Sequence, residues 1–338
     1  MRQLSPLKGL NHIELCFRED TLKDKLEQCK HALLTSAAFQ LDADTVLLDS
    51  FHSATIEGAR TTVENVKKSL KMPKSKSDKM VVNNMKALNL VYAGYSISPD
   101  NLREFWEIIV DGVCENERLK GEKYRSGDVF VSSYDRVVHT PAPYDQIENY
   151  MSALFDFLNE SEEDAVLKAI AAHFYFVYIH PYCDGNGRTA RILQNYCLFK
   201  AGYQGVRRIR ISQAINLYLG AYYKALEQVE RPIVESQKIM IDLTVFVDYM
   251  LDRILEACKM AEQKQYHLSE REKLLLKRMS KRGIGAEITV ANAAELLNVS
   301  EQGARNILNR LCEKQYLLKC KIEGKNKNLY RLLQLIAD

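Results

Sequence analysis

The 338-residue sequence has no uninterrupted run of 18 apolar residues, and its longest approach, residues 165–179, is interrupted by Lys168 and His173. A membrane-spanning helix needs about 20 such residues, so we expect no membrane partner. The first twenty residues contain no apolar stretch of the kind that marks a secretory signal peptide, so we expect no signal peptide.

The eight cysteines form no C-x-x-C pair, and no group of Cys and His has the spacing of a zinc site. Scattered cysteines of this kind are typical of reduced thiols, so we expect a cytoplasmic protein. Hydrophobic residues make up 46% of the chain and charged residues 27%. These values are near the globular average, which excludes a largely disordered or collagen-like chain.

The net charge of +3 conceals an uneven distribution. Residues 264–338 contain 15 Lys and Arg against 8 Asp and Glu, whereas residues 1–263 contain 32 against 36. The two parts therefore differ in electrostatic character, and a chain of this length is expected to form two or three domains. We predict an N-terminal helical region at 1–95, a core region at 96–263 and a separate domain at 264–338.

Apolar residues recur at helical spacing along most of the chain, which predicts a mainly α fold. The predicted helices of the first two regions cover residues 22–38, 44–58, 81–95, 99–113, 144–158, 162–179, 188–200, 212–229 and 239–264. Residues 71–79 are polar and contain a proline, which predicts a loop. The short runs 128–131 and 136–139 are rich in residues that favour strands and flank a turn at 132–135, which predicts a β-hairpin.

The last 75 residues show the pattern of a small α+β winged helix-turn-helix domain. Ser269 and Glu272 have the spacing of a capping box. Helices are predicted at 269–279, 289–297 and 300–314, followed by strands at 317–322 and 328–332. The predicted exposed residues are Ser300, Gln302, Arg305 and Asn306 on the last helix, and Lys325 and Lys327 at the tip of the wing. This basic domain is compatible with a contact to DNA and with a contact to protein.

One segment carries most of the chemistry: residues 180–191, HPYCDGNGRTAR. Gly185 and Gly187, on either side of Asn186, allow backbone N–H groups to converge on an anion. A helix that begins near Arg188 adds its positive end to the same site. Arg188 and Arg191 are three residues apart on that helix, where both can reach phosphate groups.

Two further residues complete this site. Asp184 supplies a carboxylate oxygen of the kind that Mg²⁺ prefers. His180 precedes the loop and can act as a general base near neutral pH. An anion cradle, a metal carboxylate, an arginine pair and a base within 12 residues predict phosphoryl or nucleotidyl transfer.

The segment resembles the active-site loop of the Fic family, H-P-F-x-D/E-G-N-G-R-x-x-R, with Tyr182 in place of the usual Phe. The resemblance implies a Fic-type helical core with a β-hairpin flap, and transfer of AMP from ATP to a Ser, Thr or Tyr hydroxyl of a target protein. It implies that His180 is the base and Asp184 the Mg²⁺ ligand. Residues 185–187 resemble the anion hole for the α- and β-phosphates, and Arg188 and Arg191 the arginines that hold the β- and γ-phosphates.

Further matches extend the resemblance to about residues 45–230. Gly121-x-x-Tyr124-Arg125 is similar to the segment that leads into the family's flap. The flap itself is implied to hold the target as an added strand, through Val129, Val137, Val138 and His139. Tyr222 and Tyr223 resemble the tyrosines of the nucleotide pocket. Core packing of the two tyrosines, and a capping or solvent-facing role for His139, remain open.

Ser53-x-x-x-Glu57-Gly58 resembles the inhibitory motif of the family, on a helix at about 44–58. The resemblance implies that Glu57 pairs bidentately with Arg191 and prevents productive ATP binding. A solvated Glu before a helix-ending Gly remains the alternative.

Two other functions stay open from the residues alone. The first is a transcriptional regulator whose Fic-like site senses a nucleotide. The second is transfer of a different nucleotidyl or phosphoryl group. A homodimer is compatible with the sequence.

Overall fold

The computed structural model describes residues 2–3, 13–39, 42, 44–114, 122–129, 131–133, 136–139, 141–229, 233–235, 238–263, 268–282, 286–314, 316–321 and 328–332. The chain divides into two compact units. The first contains residues 1–39 and 43–263, and the second contains residues 40–42 and 264–338.

The first unit is mainly helical, as the apolar periodicity predicted. Its helices are α1 (Glu19–Thr35), α2 (Thr45–Ile56), α3 (Val63–Ser69), α4 (Lys76–Tyr92), α5 (Leu102–Val110), α6 (Ile147–Glu160), α7 (Ala165–Ile179), α8 (Asn186–Lys200), α9 (Ile211–Leu217), α10 (Leu219–Val229) and α11 (Thr244–Gln263). Its strands are β1 (Arg2–Gln3), β2 (Ile13–Phe17), β3 (Val131–Ser133), β4 (Arg136–His139), β5 (Ile233–Glu235) and β6 (Lys238–Asp242).

Helix α7 is the centre of this unit. It is apolar around almost its whole circumference, and a helix of that kind is stable only when other elements cover it on all sides. Helices α6, α8 and α11 pack on it. The loop between α7 and α8 therefore lies between two buried helices, and this loop holds the HPYCDGNGR segment. None of the described helices has the length and hydropathy needed to cross a membrane.

Strand β6 corrects the prediction of one helix at 239–264. Residues 238–242 form a strand in the sheet β1-β2-β6-β5, where Ile239 pairs in parallel with Ile13 of β2. Helix α11 begins only at Thr244, whose backbone N–H donates to Asp242 Oδ1 at 2.9 Å. A short apolar run is compatible with a strand or a helix, and a partner 226 residues away decided between them.

Two other local predictions were also wrong. The predicted helix at 212–229 is broken at Tyr218, which has φ −124° and ψ 40° and separates α9 from α10. The predicted loop at 71–79 ends early because Ser75 caps α4, accepting a hydrogen bond from the backbone N–H of Asp78 at 3.0 Å. Helix α3, capped by Thr62, was not predicted.

The predicted hairpin is present as the antiparallel pair β3–β4, with Val131 opposite His139. Its first strand starts at 131, not at 128. Val129 lies just before that strand and is partly buried. The predicted roles of Val137, Val138 and His139 fall on side chains that the structure does not describe. Gly121, Lys325 and Lys327 lie outside the described residues altogether.

The second unit has the predicted order of helices and hairpin, with one strand that was not predicted. Its elements are α12 (Glu270–Ser280), β7 (Glu287–Thr289), α13 (Val290–Leu297), α14 (Glu301–Glu313), β8 (Leu317–Lys321) and β9 (Asn328–Leu332). The strands form an antiparallel sheet in the order β7-β9-β8. The capping box of Ser269 and Glu272 is confirmed, and the buried Glu272 carboxylate also pairs with Arg310 and Lys314.

Candidate active site

The loop between α7 and α8 is fixed by unusual backbone conformations at both ends. His180 ends α7 in the left-handed region, at φ 52°, and Gly185 caps α8 at φ 79°. Few non-glycine residues adopt the left-handed conformation, so His180 needs external support. Arg125 provides that support: its Nε donates to the His180 carbonyl at 2.8 Å, and its backbone N–H donates to the Pro181 carbonyl at 2.9 Å.

The sequence indicated Arg125 only as part of a resemblance. Its side chain is buried, and it also donates to the carbonyls of Gly127 and Ala142. Burial lowers the pKa of the guanidinium. One buried arginine thus ties the segment before β3 to the loop that carries His180.

The ring of His180 contacts the last turn of its own helix. Its Nδ1 is 3.1 Å from the carbonyl oxygen of Val177. A carbonyl only accepts hydrogen bonds, so a neutral ring with this contact carries its proton on Nδ1, and Nε2 keeps a lone pair. Such a nitrogen can take the proton of a hydroxyl group.

Asp184 is held at the edge of the loop by both its backbone and its side chain. Its carbonyl accepts a hydrogen bond from Trp106 Nε1 at 2.8 Å. Its Oδ1 accepts from the Gly185 N–H and from Arg188 Nη2, at 2.5 and 3.1 Å. The side chain is 40% exposed, so the carboxylate remains accessible to a metal ion.

Asn186 and Gly187 begin α8 and shape the anion cradle. The Asn186 amide clamps Tyr182, accepting from its N–H at 3.0 Å and donating to its carbonyl at 2.6 Å. Its side chain therefore closes the loop, and the unpaired first N–H groups of α8 are left to bind an anion. A Cβ atom on Gly187 would collide with Glu57 Oε1, so a larger residue here would have to displace the Glu57 side chain.

The two arginines of the motif differ in their surroundings. Arg188 is fully buried, and its Nη1 donates to the carbonyl of Ile109 at 3.0 Å. Its Nη2 donates to Asp184 Oδ1, so the buried guanidinium stabilises the loop. Arg191 is turned toward α2 instead. The expectation that both arginines reach phosphate stays a prediction.

Arg191 joins α8 to α2 by three hydrogen bonds of 2.9 Å. Its Nε donates to the Ser53 hydroxyl, and its Nη2 donates to the Ser53 carbonyl and to Glu57 Oε1. The predicted bidentate pairing with Glu57 is thus corrected to a single contact, because Ser53 occupies Nε. Burial alone would raise the pKa of the Glu57 carboxyl, but Arg191 outweighs it and holds this pKa below its usual value.

The position of Glu57 is set by the end of α2. Gly58 adopts φ 83°, and its N–H donates to the carbonyl of Thr55 at 2.9 Å. The N–H of Ala59 donates to the carbonyl of Ala54 at 3.0 Å. These two bonds form a Schellman motif, which requires the left-handed residue that Gly58 supplies.

The segment that contains this loop was compared with known protein families. Residues 96–198 match the sequence model of the Fic/DOC family. Residues 96–198 are a Fic/DOC domain.

Named relatives and solved structures agree with this domain. A protein adenylyltransferase Fic of Nematostella vectensis is 27% identical over 204 residues, which are 56% of this chain and 47% of that protein. The adenylyltransferase fic-1 of Caenorhabditis elegans is 24% identical over 197 residues, 55% of this chain and 37% of that protein. The chain thus spans half or less of the length of these relatives.

The fold is shared with two solved structures. A Fic family protein from Desulfovibrio desulfuricans superposes with a TM-score of 0.60 at 21% identity, covering 94% of this chain and 97% of that one. Fic-1 of C. elegans superposes with a TM-score of 0.57 at 19% identity, covering 72% of this chain and 73% of that one.

Beyond the Fic domain, Tyr222 and Tyr223 lie on α10, and both interact electrostatically with Arg191 and Glu57. Tyr222 is buried among the rings of His173, Phe246 and Tyr249. Tyr223 is 47% exposed, and its hydroxyl donates to the carbonyl of Ile56 at 3.2 Å. Tyr223 therefore contacts the end of α2, whereas Tyr222 belongs to the core as well as to the site.

Tyr182, at the position of the usual Phe of the Fic motif, is accommodated by stacking. Its ring lies 4.4 Å from that of Trp106, at an interplanar angle of 19°. Its buried hydroxyl makes no hydrogen bond within the described part of the chain. Burial raises the pKa of this hydroxyl.

Proposed function

We propose that the protein is an adenylyltransferase that moves AMP from ATP to a Ser, Thr or Tyr hydroxyl of a target protein, and that Glu57 restrains it. The observation that carries the proposal is the position of the Glu57 carboxylate. It lies against Gly187 at the positive end of α8 and is bonded to Arg191. An anion therefore occupies the cradle expected for a phosphate group. The names of the relatives support the same reaction.

The chemistry follows from the arrangement around the loop. His180 Nε2 accepts the proton of the target hydroxyl while the hydroxyl oxygen forms a bond to the α-phosphorus. The bond between the α-phosphorus and the pyrophosphate oxygen breaks, and pyrophosphate leaves. The first N–H groups of α8 and the Arg191 guanidinium stabilise the charge that develops on the leaving group. Asp184, Arg125 and Arg188 hold the loop that aligns these groups.

Asp184 is the residue that would hold Mg²⁺. Its carboxylate is exposed at the loop edge, and no described residue donates to its Oδ2. The described residues contain no cluster of three or more His, Cys, Asp or Glu side chains that could hold a metal. A single carboxylate fits an ion whose other ligands are phosphate oxygens and water. The bound ion would neutralise phosphate charge during transfer.

The restraint acts through space and charge. Glu57 adds a negative charge at the cradle and engages Arg191, so the terminal phosphate of ATP has neither room nor its cation. ATP then binds in a position from which pyrophosphate cannot leave in line. Removal of Glu57 restores the space for the terminal phosphate and leaves Arg191 available to bind it.

Intact-mass spectrometry tests the reaction. The Glu57→Gly chain incubated with ATP and Mg²⁺ is expected to gain about 329 Da per transferred AMP, on itself or on a partner protein. Glu57→Gly/His180→Ala is the matched control and should bind ATP without forming the adduct. An adduct of about 80 Da would identify phosphoryl transfer instead. Binding of ATP without any adduct in the presence of candidate targets contradicts the proposal.

The second unit is proposed to select the partner. Its acidic residues Glu272 and Glu287 are paired internally, whereas Gln302, Arg305 and Asn306 are exposed on α14. This surface suits a protein partner or a DNA duplex. A gel shift of the full chain with a 30-bp duplex at increasing salt distinguishes them, because DNA binding weakens steeply with salt.

A further inference from the structure

Helix α5 carries the single tryptophan of the chain, Trp106, and its indole contacts the loop between α7 and α8. The ring is buried, and its Nε1 donates to the carbonyl of Asp184 at 2.8 Å. The loop approaches α5 closely here, because a Cβ atom on Gly185 would lie 2.8 Å from Val110 Cγ1 and 3.4 Å from Trp106 Nε1. The transfer chemistry described above gives Trp106 no role.

The indole is held in place by its neighbours. The ring of Tyr182 stacks on it at 4.4 Å. The guanidinium of Arg103, one turn earlier on α5, lies 4.8 Å from the centroid of the Trp106 ring, and Arg103 Nε donates in turn to Glu107 Oε1 at 2.9 Å. A stacked ring pair and a cation over an aromatic face both favour one orientation of the ring. The indole N–H therefore has a fixed direction.

One peptide unit connects this N–H to the Asp184 side chain. The unit between Asp184 and Gly185 contains the carbonyl that accepts from Trp106 and the N–H that donates to Asp184 Oδ1 at 2.5 Å. A peptide unit is planar and rigid, so a bond that fixes its carbonyl also fixes the direction of its N–H. Trp106 therefore helps to set the position of Oδ1.

The position of Oδ1 determines which oxygen of Asp184 is left for a metal ion. Oδ1 also accepts from Arg188 Nη2 at 3.1 Å, whereas no described residue donates to Oδ2. Among the described residues, no cluster of three or more His, Cys, Asp or Glu side chains could share the ion. Mg²⁺ requires nearly octahedral geometry, so the direction of the Asp184 carboxylate matters more where the protein supplies few other ligands.

We infer that Trp106 is a positioning residue for the metal carboxylate: its indole N–H fixes the peptide unit between Asp184 and Gly185, and thereby keeps Asp184 Oδ2 available to the Mg²⁺ of MgATP. This inference rests on the proposed function, since it assigns Asp184 to the metal of the nucleotide.

The alternative role of Trp106 is packing alone, because a buried indole N–H usually finds an acceptor whatever its function. The two roles differ in how ATP binding responds to Mg²⁺. Loss of a positioning residue weakens the binding of ATP with Mg²⁺ and spares the binding of ATP without it. Loss of a packing residue weakens both.

Calorimetry of ATP binding in Mg²⁺ and in EDTA separates these roles in the Glu57→Gly chain. Trp106→Phe keeps an aromatic ring against Tyr182 and removes the N–H. We expect its Kd for MgATP to rise about tenfold, as when an outer partner of a metal ligand is removed, while its Kd for ATP in EDTA stays close to that of the parent chain. Replacement of Trp106 by 3-benzothienylalanine, in which sulfur takes the place of the N–H, keeps the size of the ring and should give the same result.

Asp184→Ala completes a double-mutant cycle. Trp106→Phe should cost no further MgATP affinity in the Asp184→Ala chain, because Trp106 acts through Asp184. Phe105→Leu is the matched control on the same helix. The Phe105 ring is buried and stacks on Tyr95, so its loss should lower stability without changing the response of ATP binding to Mg²⁺.

Equal losses in Mg²⁺ and in EDTA overturn the inference, as does a further loss in the double variant or an unchanged Kd for MgATP in both Trp106 variants. AMP transfer by the Glu57→Gly chain alongside any of these results leaves the proposed function standing. A loss confined to Mg²⁺ conditions, without AMP transfer by the parent chain, contradicts the proposed function alone. A Glu57→Gly chain that binds no ATP contradicts both.

Discussion

Ser53 accepts two of the hydrogen bonds by which Arg191 holds α2, one at its hydroxyl from Nε and one at its carbonyl from Nη2. Glu57 accepts only from Nη2. Serine and glutamate therefore share the guanidinium, and the charge of Glu57 acts on an arginine that Ser53 has already oriented.

Ser53→Ala is expected to weaken the docking of α2, because it leaves the buried Arg191 Nε without its partner, at a cost of about 1–3 kcal/mol. AMP transfer should rise above that of the wild type but stay below that of Glu57→Gly. Thr55→Ala is the matched control, since the Thr55 hydroxyl bonds only to Phe51 of the same helix in the described contacts. Equal transfer by Ser53→Ala and Thr55→Ala would contradict a role of Ser53 in the restraint.

Asp49 links α2 to α9 and should make stability depend on pH. Its oxygens accept from the N–H and the hydroxyl of Ser212, at 2.7 and 3.0 Å, and burial raises its pKa from 3.8 to about 6. A raised pKa means that the folded state binds the proton more tightly. The resulting stability is complete below about pH 4 and is lost as pH rises through 6, on the order of 3 kcal/mol.

Asp49→Asn cannot titrate and keeps partners for both hydrogen bonds. The free energy of unfolding of the wild type, relative to Asp49→Asn, should therefore fall between pH 4 and pH 7. The exposed Asp100→Asn should give no such trend. A constant difference between wild type and Asp49→Asn across this range would show that Asp49 is not a buried titrating carboxyl.

Tyr182→Phe is expected to stabilise the chain. It removes a buried hydroxyl that has no partner among the described residues, while the stacked ring on Trp106 is kept. Relief of an unsatisfied buried group contributes about 1–3 kcal/mol, visible as a higher midpoint in urea unfolding. A lower midpoint would mean that the hydroxyl has a partner in the folded protein.

Arg125→Lys should reduce transfer more than ATP binding. Lysine keeps the charge but cannot donate hydrogen bonds to the carbonyls of His180, Gly127 and Ala142 at the same time. The base then loses its fixed position, whereas the N-terminus of α8 is unaffected. In the Glu57→Gly chain we expect kcat to fall at least tenfold, with KM for ATP changed less. The nearby exposed Lys123→Ala serves as control, and equal falls in both variants would contradict this role of Arg125.

The loop at 180–191 could be predicted from the sequence because its base, carboxylate, cradle and arginines are contiguous. The partner of Arg191 could be named only through resemblance, since Glu57 lies 134 residues earlier. The contacts of Arg125, Asp49 and Trp106 left no local signal, because each depends on which helices meet. The same limit explains the error at β6, whose register is set by β2 and not by its own residues.

The direct test of the central claim is the rate of AMP incorporation from α-labelled ATP by the wild type and by Glu57→Gly, with an exposed-site control, Glu64→Gly. Because the Glu57 carboxylate occupies the cradle, we expect a rate at least tenfold higher for Glu57→Gly than for the wild type. Glu64→Gly should show no such rise. Glu57→Gly/His180→Ala should lose the signal. Equal or lower incorporation by Glu57→Gly, with ATP bound, would contradict the claim that Glu57 restrains an adenylyltransferase.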